Sequence, residues 1–286
     1  MNTFWQDINY KIKSGSKLYL LIVINVVVYL LINLPGQIEK LFAHTENVIH
    51  YTYKYLALPA YLPDLIHRPW TIVSHMFMHA DVFHILYNML WFYWFGQIFE
   101  EFLGKKRTVG LYFIGGLSGA AFFITAYNLI PLFNQPAILH EANAIGASAA
   151  IMAIIIAAAT IVPDYTMIVF LIGPVKLKWV ALFFVVTDFL SITGPNAGGE
   201  IAHIGGAIVG FVYVKQLQNG KDWIGSINNL FKKRSKMRVV PGSQQKESKG
   251  KPQQDEIDRI LDKISETGYD NLTTQEKDTL FRASNK

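Results

Sequence analysis

Residues 144–161 read AIGASAAIMAIIIAAATI, eighteen positions without a charged side chain and with one serine, Ser148, near their start. A helix rises about 1.5 Å per residue, so apolar blocks of roughly 17 to 25 residues cross a hydrocarbon core of about 30 Å. Blocks of this kind recur at about 17–35, 80–103, 107–130, 178–193 and 199–218, which with 144–161 makes six. The whole chain of 286 residues is 51% hydrophobic and 16% charged. A soluble domain averages about 25% charged residues. The sequence therefore predicts an all-α polytopic membrane protein with lipid as its main solvent.

Lys11, Lys13 and Lys17 precede the first apolar run, and no small-residue cleavage site follows it, which reads as a retained first span rather than a cleaved leader. With no cysteine, the chain offers neither a disulfide framework nor a thiolate for metal binding or nucleophilic attack. Six spans place both termini on one side. Of 26 Lys and Arg, 23 fall in the amino tail, the 105–107 turn, the 161–178 connection or the stretch from Lys215 onward. Only Lys40, Lys54 and Arg68 fall on the other side, so by the positive-inside rule both termini face the cytoplasm. A seven-span arrangement would put the most basic stretch outside.

The organisation that follows has four parts: an amino tail (1–16), a six-span membrane domain (17–218), a basic linker (219–254) and a small helical tail (255–286). The loop at about 36–79 carries Tyr51, Tyr53, Tyr55, Tyr61 and Trp70 beside Pro59, Pro63 and Pro69, a composition expected of a folded segment at the membrane interface. Its two readings are an interfacial cap and a substrate-contacting surface. Lys232, Lys233, Arg234, Lys236 and Arg238 suit anionic lipid headgroups, which leaves no need for a nucleic-acid role. In the tail, Ile257, Ile260, Leu261 and Ile264 form a helical stripe, and Thr273 with Glu276 has capping-box spacing. These helices dock on the membrane domain or bind a cytoplasmic partner.

Polar side chains inside a bilayer are costly, so each is a functional candidate. They are His84, Asn88 and Glu100 in the second block, Ser148 in the fourth, Asp188 in the fifth, and Glu200 and His203 in the sixth. The second, fourth and sixth spans all run inward, and His84, Ser148 and His203 are expected four or five residues into them, at one depth. Gly146, Ala150 and Ala153 on one span, and Gly206 and Gly210 on the face of His203, favour close helix approach. That approach would bring Ser148 to His203. A serine hydroxyl needs an adjacent base to become a nucleophile, and an imidazole supplies one. His84 and Asn88, at i and i+4, with the Ser148 N–H, are candidate donors to an oxyanion. The competing reading makes these residues helix-joining hydrogen-bonding groups.

Gly146-Ala147-Ser148-Ala149 resembles the G-x-S-x nucleophile motif of the rhomboid family, and Ala202-His203-Ile204-Gly205-Gly206 with Gly210 is similar to its A-H-x-x-G-x-x-x-G helix. His75 and His79 with His84 and Asn88 resemble the family's second span, and Gly96, Glu100 and Gly104 its G-x-x-x-E-x-x-x-G ending. The resemblance covers about 17–218. It implies a six-helix rhomboid bundle around a water-filled cavity open to the outside, cleaving transmembrane segments of other membrane proteins with a Ser148–His203 dyad and no third acid. It also implies His84, Asn88 and Ser148 on the oxyanion side and no cofactor. His75 and His79 match positions that look structural, against a zinc site, so no metal is expected. Gly146, Glu100, Gly206 and Gly210 are structural candidates.

This chain departs from the pattern at Ala149, where glycine is common, and at Met152, where many relatives place a ring against the histidine. The tryptophan-arginine pair of the first loop is not evident. Asp188 either lines the cavity as a third member or lies hydrated near the outer end of its span, the second being preferred. Glu100, some four helical turns below the site, reads as a hydrogen-bonding residue. A non-catalytic rhomboid-like binder is the competing function, which retention of Ser148 and His203 opposes. A solute transporter would show inverted repeats or broken helices, and neither is found. The uncleaved start and cytoplasmic tail fit a multi-pass protein of the bacterial inner membrane.

Overall fold

The computed structural model describes residues 16–169, 172–230 and 254–284. Residues 1–15 of the amino tail and the basic run of the linker lie outside them. The chain divides into two compact units, Met1–Lys232 and Lys233–Lys286, and helices dominate both.

In chain order the first unit contains α1 (Leu18–Ala43), α2 (Asn47–Leu56), β1 (Leu58–Pro59), α3 (Leu62–His67), α4 (Thr71–Ser74), a 3-10 turn (His75–Phe77), α5 (Val82–Leu103), α6 (Thr108–Leu129), α7 (Pro136–Leu139) and β2 (Asn143–Ala144). It continues with α8 (Ser148–Ile161), β3 (Thr166–Val169), β4 (Gly173–Lys176), α9 (Leu177–Leu190), α10 (Ala197–Gln218) and α11 (Trp223–Leu230). The six expected blocks coincide with α1, α5, α6, α8, α9 and α10. Among the described residues, three helices, α1, α6 and α10, are long and apolar enough to cross a membrane. The helix α5 is as long but carries His84, Asn88, Glu100 and Glu101, while α8 and α9 have only 14 residues each.

The core is α8 enclosed by α5, α6 and α10. Glycines make this possible where backbones touch: a Cβ at Gly206 would sit 2.0 Å from the Ala149 carbonyl oxygen, and one at Gly210 would sit 2.2 Å from that of Ala153. Large side chains such as Ile154, Phe92, Phe95 and Tyr213 fill the spaces between. Outward faces of α1 and α9 expose Leu31, Leu34, Trp179, Phe183 and Phe189, a distribution suited to lipid rather than water.

Three features differ from the sequence reading, and the first loop agrees with it. The helix α1 runs on through Pro35 to Ala43 and ends at His44, whose φ of 54° is left-handed. Glu39 then accepts from Thr45 Oγ1 (2.6 Å) and from the Asn47 and Val48 N–H groups (3.1 and 2.7 Å), which seats the start of α2. The stretch expected to be linker from 219 begins with α11, because Asp222 binds Arg107 (2.6 and 3.0 Å) and Ile224 is buried over Gly110. The antiparallel β3–β4 hairpin occupies the 161–178 connection, with Asp164 held by Lys176 and Lys178 at 3.0 and 2.8 Å. The aromatic first loop is folded: Trp70 Nε1 donates to the Tyr55 carbonyl at 2.7 Å, and Tyr61 stacks on His140 at 4.0 Å.

In the second unit, α12 (Gln254–Thr267) and α13 (Thr274–Ser284) form a helix pair. The capping box at Thr273 is present, with the Thr273 N–H donating to Glu276 at 2.7 Å and the Glu276 N–H donating to Thr273 Oγ1 at 3.3 Å. Lys263 binds Glu276 at 2.9 Å, and Ile260 is buried with Leu272. Leu261, expected in the same stripe, is instead 50% exposed, since it lies about 100° around the helix from Ile260.

Candidate active site

Segments of four helices, α5, α8, α9 and α10, converge on one cavity. Its volume is about 470 Å³, and His84, Asn88, Ser148, Met152, Asp188, Glu200 and His203 all line it. A second cavity of about 440 Å³ is walled by apolar residues of α6 and α10 such as Phe122, Leu129 and Ile204, and holds no titratable group.

Ser148 opens α8 rather than lying four or five residues into it. The delay has a backbone cause. Pairing of Leu58 with Ala144 and of Pro59 with Asn143 keeps the approach extended, and Gly146 has φ of +120°, with its N–H on the His75 carbonyl at 2.9 Å. Only glycine takes that conformation without strain. A Cβ there would also meet His84 Nε2 at 2.9 Å and Ser148 Oγ at 3.5 Å, so the imidazole and the hydroxyl both flank this one bare position. As the first residue of a helix, Ser148 has an N–H without an intrahelical acceptor, at the positive end of the dipole.

His84 is the third residue of α5, whose N-cap Asp81 accepts the His84 N–H at 2.9 Å. The Ala80 N–H donates to His84 Nδ1 at 3.3 Å. Because Nδ1 accepts, a neutral His84 carries its proton on Nε2, the nitrogen beside Gly146 and Ser148. That is the tautomer an oxyanion donor needs. His79 packs edge-on to this ring, with centroids 5.0 Å apart. His75 is buried, with Nδ1 on the Thr71 carbonyl at 2.9 Å. Asn88 is buried one turn below His84 and gives one amide N–H to the His84 carbonyl at 2.8 Å, which leaves a second for the cavity.

His203 is the seventh residue of α10, so the three residues are not at matching counts from their helix starts; the helices begin at different levels and still meet at one cavity. Its Nδ1 lies 3.1 Å from Asp188 Oδ1 and 3.7 Å from Glu200 Oε2. Asp188 is only 7% exposed, which corrects the expectation of a hydrated residue at a span end. Glu200 is drawn aside by Asn196, whose Nδ2 donates to Oε1 at 3.2 Å. Ala149 finds room for its methyl over Gly119, whose own Cβ would fall 2.5 Å from it.

Glu100 sits far from the cavity and gathers helix starts: Ser16 Oγ donates to it at 2.6 Å, the Lys17 and Leu18 N–H groups at 3.2 and 3.1 Å, and Thr108 Oγ1 at 2.9 Å. The sequence reading offered Asp188 as a third member but preferred the hydrated alternative. The signal available was an acid at the carboxyl end of an apolar helix, where the dipole disfavours it unless a donor is near.

A family model described as the Rhomboid domain matches residues 67–218, more than half of the chain, and one described as a family of unknown function (DUF6576) matches residues 244–286. Among curated proteins, the chain is similar to RHOMBOID-like protein 12, mitochondrial, of Arabidopsis thaliana, with 27% identity over 161 residues, 54% of this chain and 48% of that one. It is also similar to rhomboid protease GlpG of Klebsiella pneumoniae subsp. pneumoniae, with 28% identity over 131 residues, 40% of this chain and 43% of that one. Rhomboid-like protein 14, mitochondrial, of Arabidopsis thaliana is 26% identical over 140 residues, 49% and 40%. The chain spans less than half the length of each of these relatives.

Proposed function

The chain belongs to the rhomboid family, and from that premise we propose that it is an intramembrane serine endopeptidase cleaving transmembrane segments of other membrane proteins. The observation that carries the reading is the convergence on one cavity of Ser148, His203 and His84, from three different helices, with His84 Nε2 and Ser148 Oγ both flanking Gly146.

In this mechanism the Ser148 oxygen attacks a peptide carbonyl while its proton passes to His203 Nε2. Negative charge develops on the carbonyl oxygen, where the His84 Nε2–H, the free Asn88 N–H and the Ser148 backbone N–H are the donors. The C–N bond breaks as the imidazolium returns its proton to the leaving amine, and water, deprotonated by the same imidazole, releases the acyl group. A helical substrate must unwind first, because its carbonyls are bonded from i to i−4.

The topology we propose with it has six spans, α1, α5, α6, α8, α9 and α10, and both termini in the cytoplasm, supported by the placement of 23 of the 26 Lys and Arg. A bacterial inner membrane fits this arrangement. We assign the reaction to side chains alone, without cofactor, metal or nucleic acid, and leave the carboxyl tail as a docking element for a cytoplasmic partner.

Purified protein in detergent, incubated with a panel of single-span substrates, tests the reading. Cleavage is expected to fall by at least about 10³-fold in kcat/KM in Ser148→Ala and His203→Ala. Equal products from wild type and both variants would overturn the catalytic assignment, and a fluorophosphonate label that persists in Ser148→Ala would point to another nucleophile or to a contaminant.

A further inference from the structure

We propose that Asp188 is a positioning residue for His203, its carboxylate accepting the Nδ1–H and so holding Nε2 toward Ser148. The inference rests on the reading of Ser148 and His203 as nucleophile and base. It adds a third member, contributed by α9, to a pair otherwise supplied by α8 and α10.

The geometry is specific. Asp188 Oδ1 is 3.1 Å from Nδ1, within hydrogen-bond distance, whereas Glu200 Oε2 at 3.7 Å is beyond it and the other Glu200 oxygen is engaged by Asn196. A carboxylate only accepts, so a neutral His203 must carry its proton on Nδ1, leaving Nε2 with a free lone pair for the serine proton. The opposite tautomer would present an N–H to Ser148 and could not act as a base. Asp188 is 7% exposed and sits in the last turn of α9, where the helix dipole opposes a negative charge. Its carboxylate meets both His203 Nδ1 and the neighbouring Glu200, whose ligand atoms all lie within 4.8 Å of one another, and the imidazole is the nitrogen donor in that group.

The groups facing His203 divide by element. α9 contributes Asp188, its own helix Glu200, α5 His84, and α8 the uncharged Ser148 and Met152. Met152 supplies no ring to stack on the imidazole. Orientation that a flat aromatic contact would provide is here provided by the hydrogen bond to Asp188. When the proton leaves Ser148 for Nε2, the resulting imidazolium keeps its Nδ1–H on Asp188.

Full-length protein in detergent decides the matter. In Asp188→Asn the amide also presents donors to Nδ1, and kcat is expected to fall on the order of 10²-fold or more. KM should stay within about twofold, because substrate contacts are untouched. Fluorophosphonate labelling of Ser148 should slow in parallel, and Asp188→Glu should regain most of the loss. Side-chain 15N spectra of wild type should show His203 protonated on Nδ1 in the neutral ring. That measurement stands even if Asp188→Asn fails to fold, and an Nε2–H tautomer there would overturn the assignment. Wild-type kcat in a folded Asp188→Asn would overturn it too, while leaving Ser148 and His203 intact. Absence of Ser148-dependent labelling in wild type would instead remove the reading beneath it, and this inference with it.

Discussion

Helices α1 and α8 are both apolar, yet the chain uses them in opposite ways. In α1, 17% of the span-length window is buried, and Val27, Leu31, Leu34 and Leu41 point outward. In α8, every residue from Ala149 to Ala159 is buried. Side-chain size separates them more than polarity does. Small alanines let three neighbouring helices close on α8, whereas the large Leu, Ile and Val of α1 suit a surface wetted by acyl chains. Length separates them too: 14 residues rise only about 21 Å, short of a hydrocarbon core of about 30 Å. A helix that short is completed by the extended segment before it, and the junction is where Ser148 stands.

The largest effect that would break this comparison is on the α8–α10 contact. Gly206→Val should destabilise by about 3 kcal/mol or more and abolish cleavage, since its first carbon already meets the Ala149 carbonyl oxygen at 2.0 Å. Thermal unfolding in detergent, read beside activity, checks it, and a stable active variant would deny that α8 is so tightly enclosed. Next is Ile154→Ala, at a fully buried position of α8, expected to cost about 2 kcal/mol or more, against under about 0.5 kcal/mol for Leu31→Ala, which is 69% exposed on α1. Equal losses would erase the distinction between the two helices. Gly146→Ala sharpens it differently. A positive φ and a methyl 2.9 Å from His84 Nε2 should cost roughly 10²-fold in kcat, with a smaller change in unfolding temperature.

The smallest effect belongs to the charged helix pair α12–α13, where ionic bonds stand in for apolar burial. Lys263 first, then the Thr273 backbone and side chain, hold the Glu276 carboxyl down at about 2 from an ordinary 4.5. A lowered folded value means that the contribution is complete above about 4.5 and is lost as pH falls toward about 2. Amide exchange at the start of α13 in the full chain should therefore quicken over that window. Glu276→Gln should flatten the change.

How legible this was in the sequence differs from residue to residue. Helix positions followed from hydropathy and length, because a bilayer imposes both. Ser148, His203, His84 and Asn88 were legible because polar groups in apolar helices are few. The start of α8 was not, since it depends on a backbone turn at Gly146 and on pairing with β1, about 85 residues earlier. The partner of Asp188 was not legible either: a periodic sequence gives the faces of one helix but not the rotation of its neighbour. Leu261 failed for a simpler reason, since a stripe of four apolar residues is wider than the single contact line that two short helices share.

The carboxylate of Glu100 carries a consequence for how the protein is made. It receives Ser16 Oγ, 84 residues upstream, together with the first amides of α1 and the Thr108 hydroxyl. At about 5–20 residues per second, a ribosome takes several seconds to deliver Glu100 after Ser16 has emerged. During that interval Ser16 and the first amides of α1 wait for this acceptor. The tie closes only once the end of α5 and the start of α6 have followed.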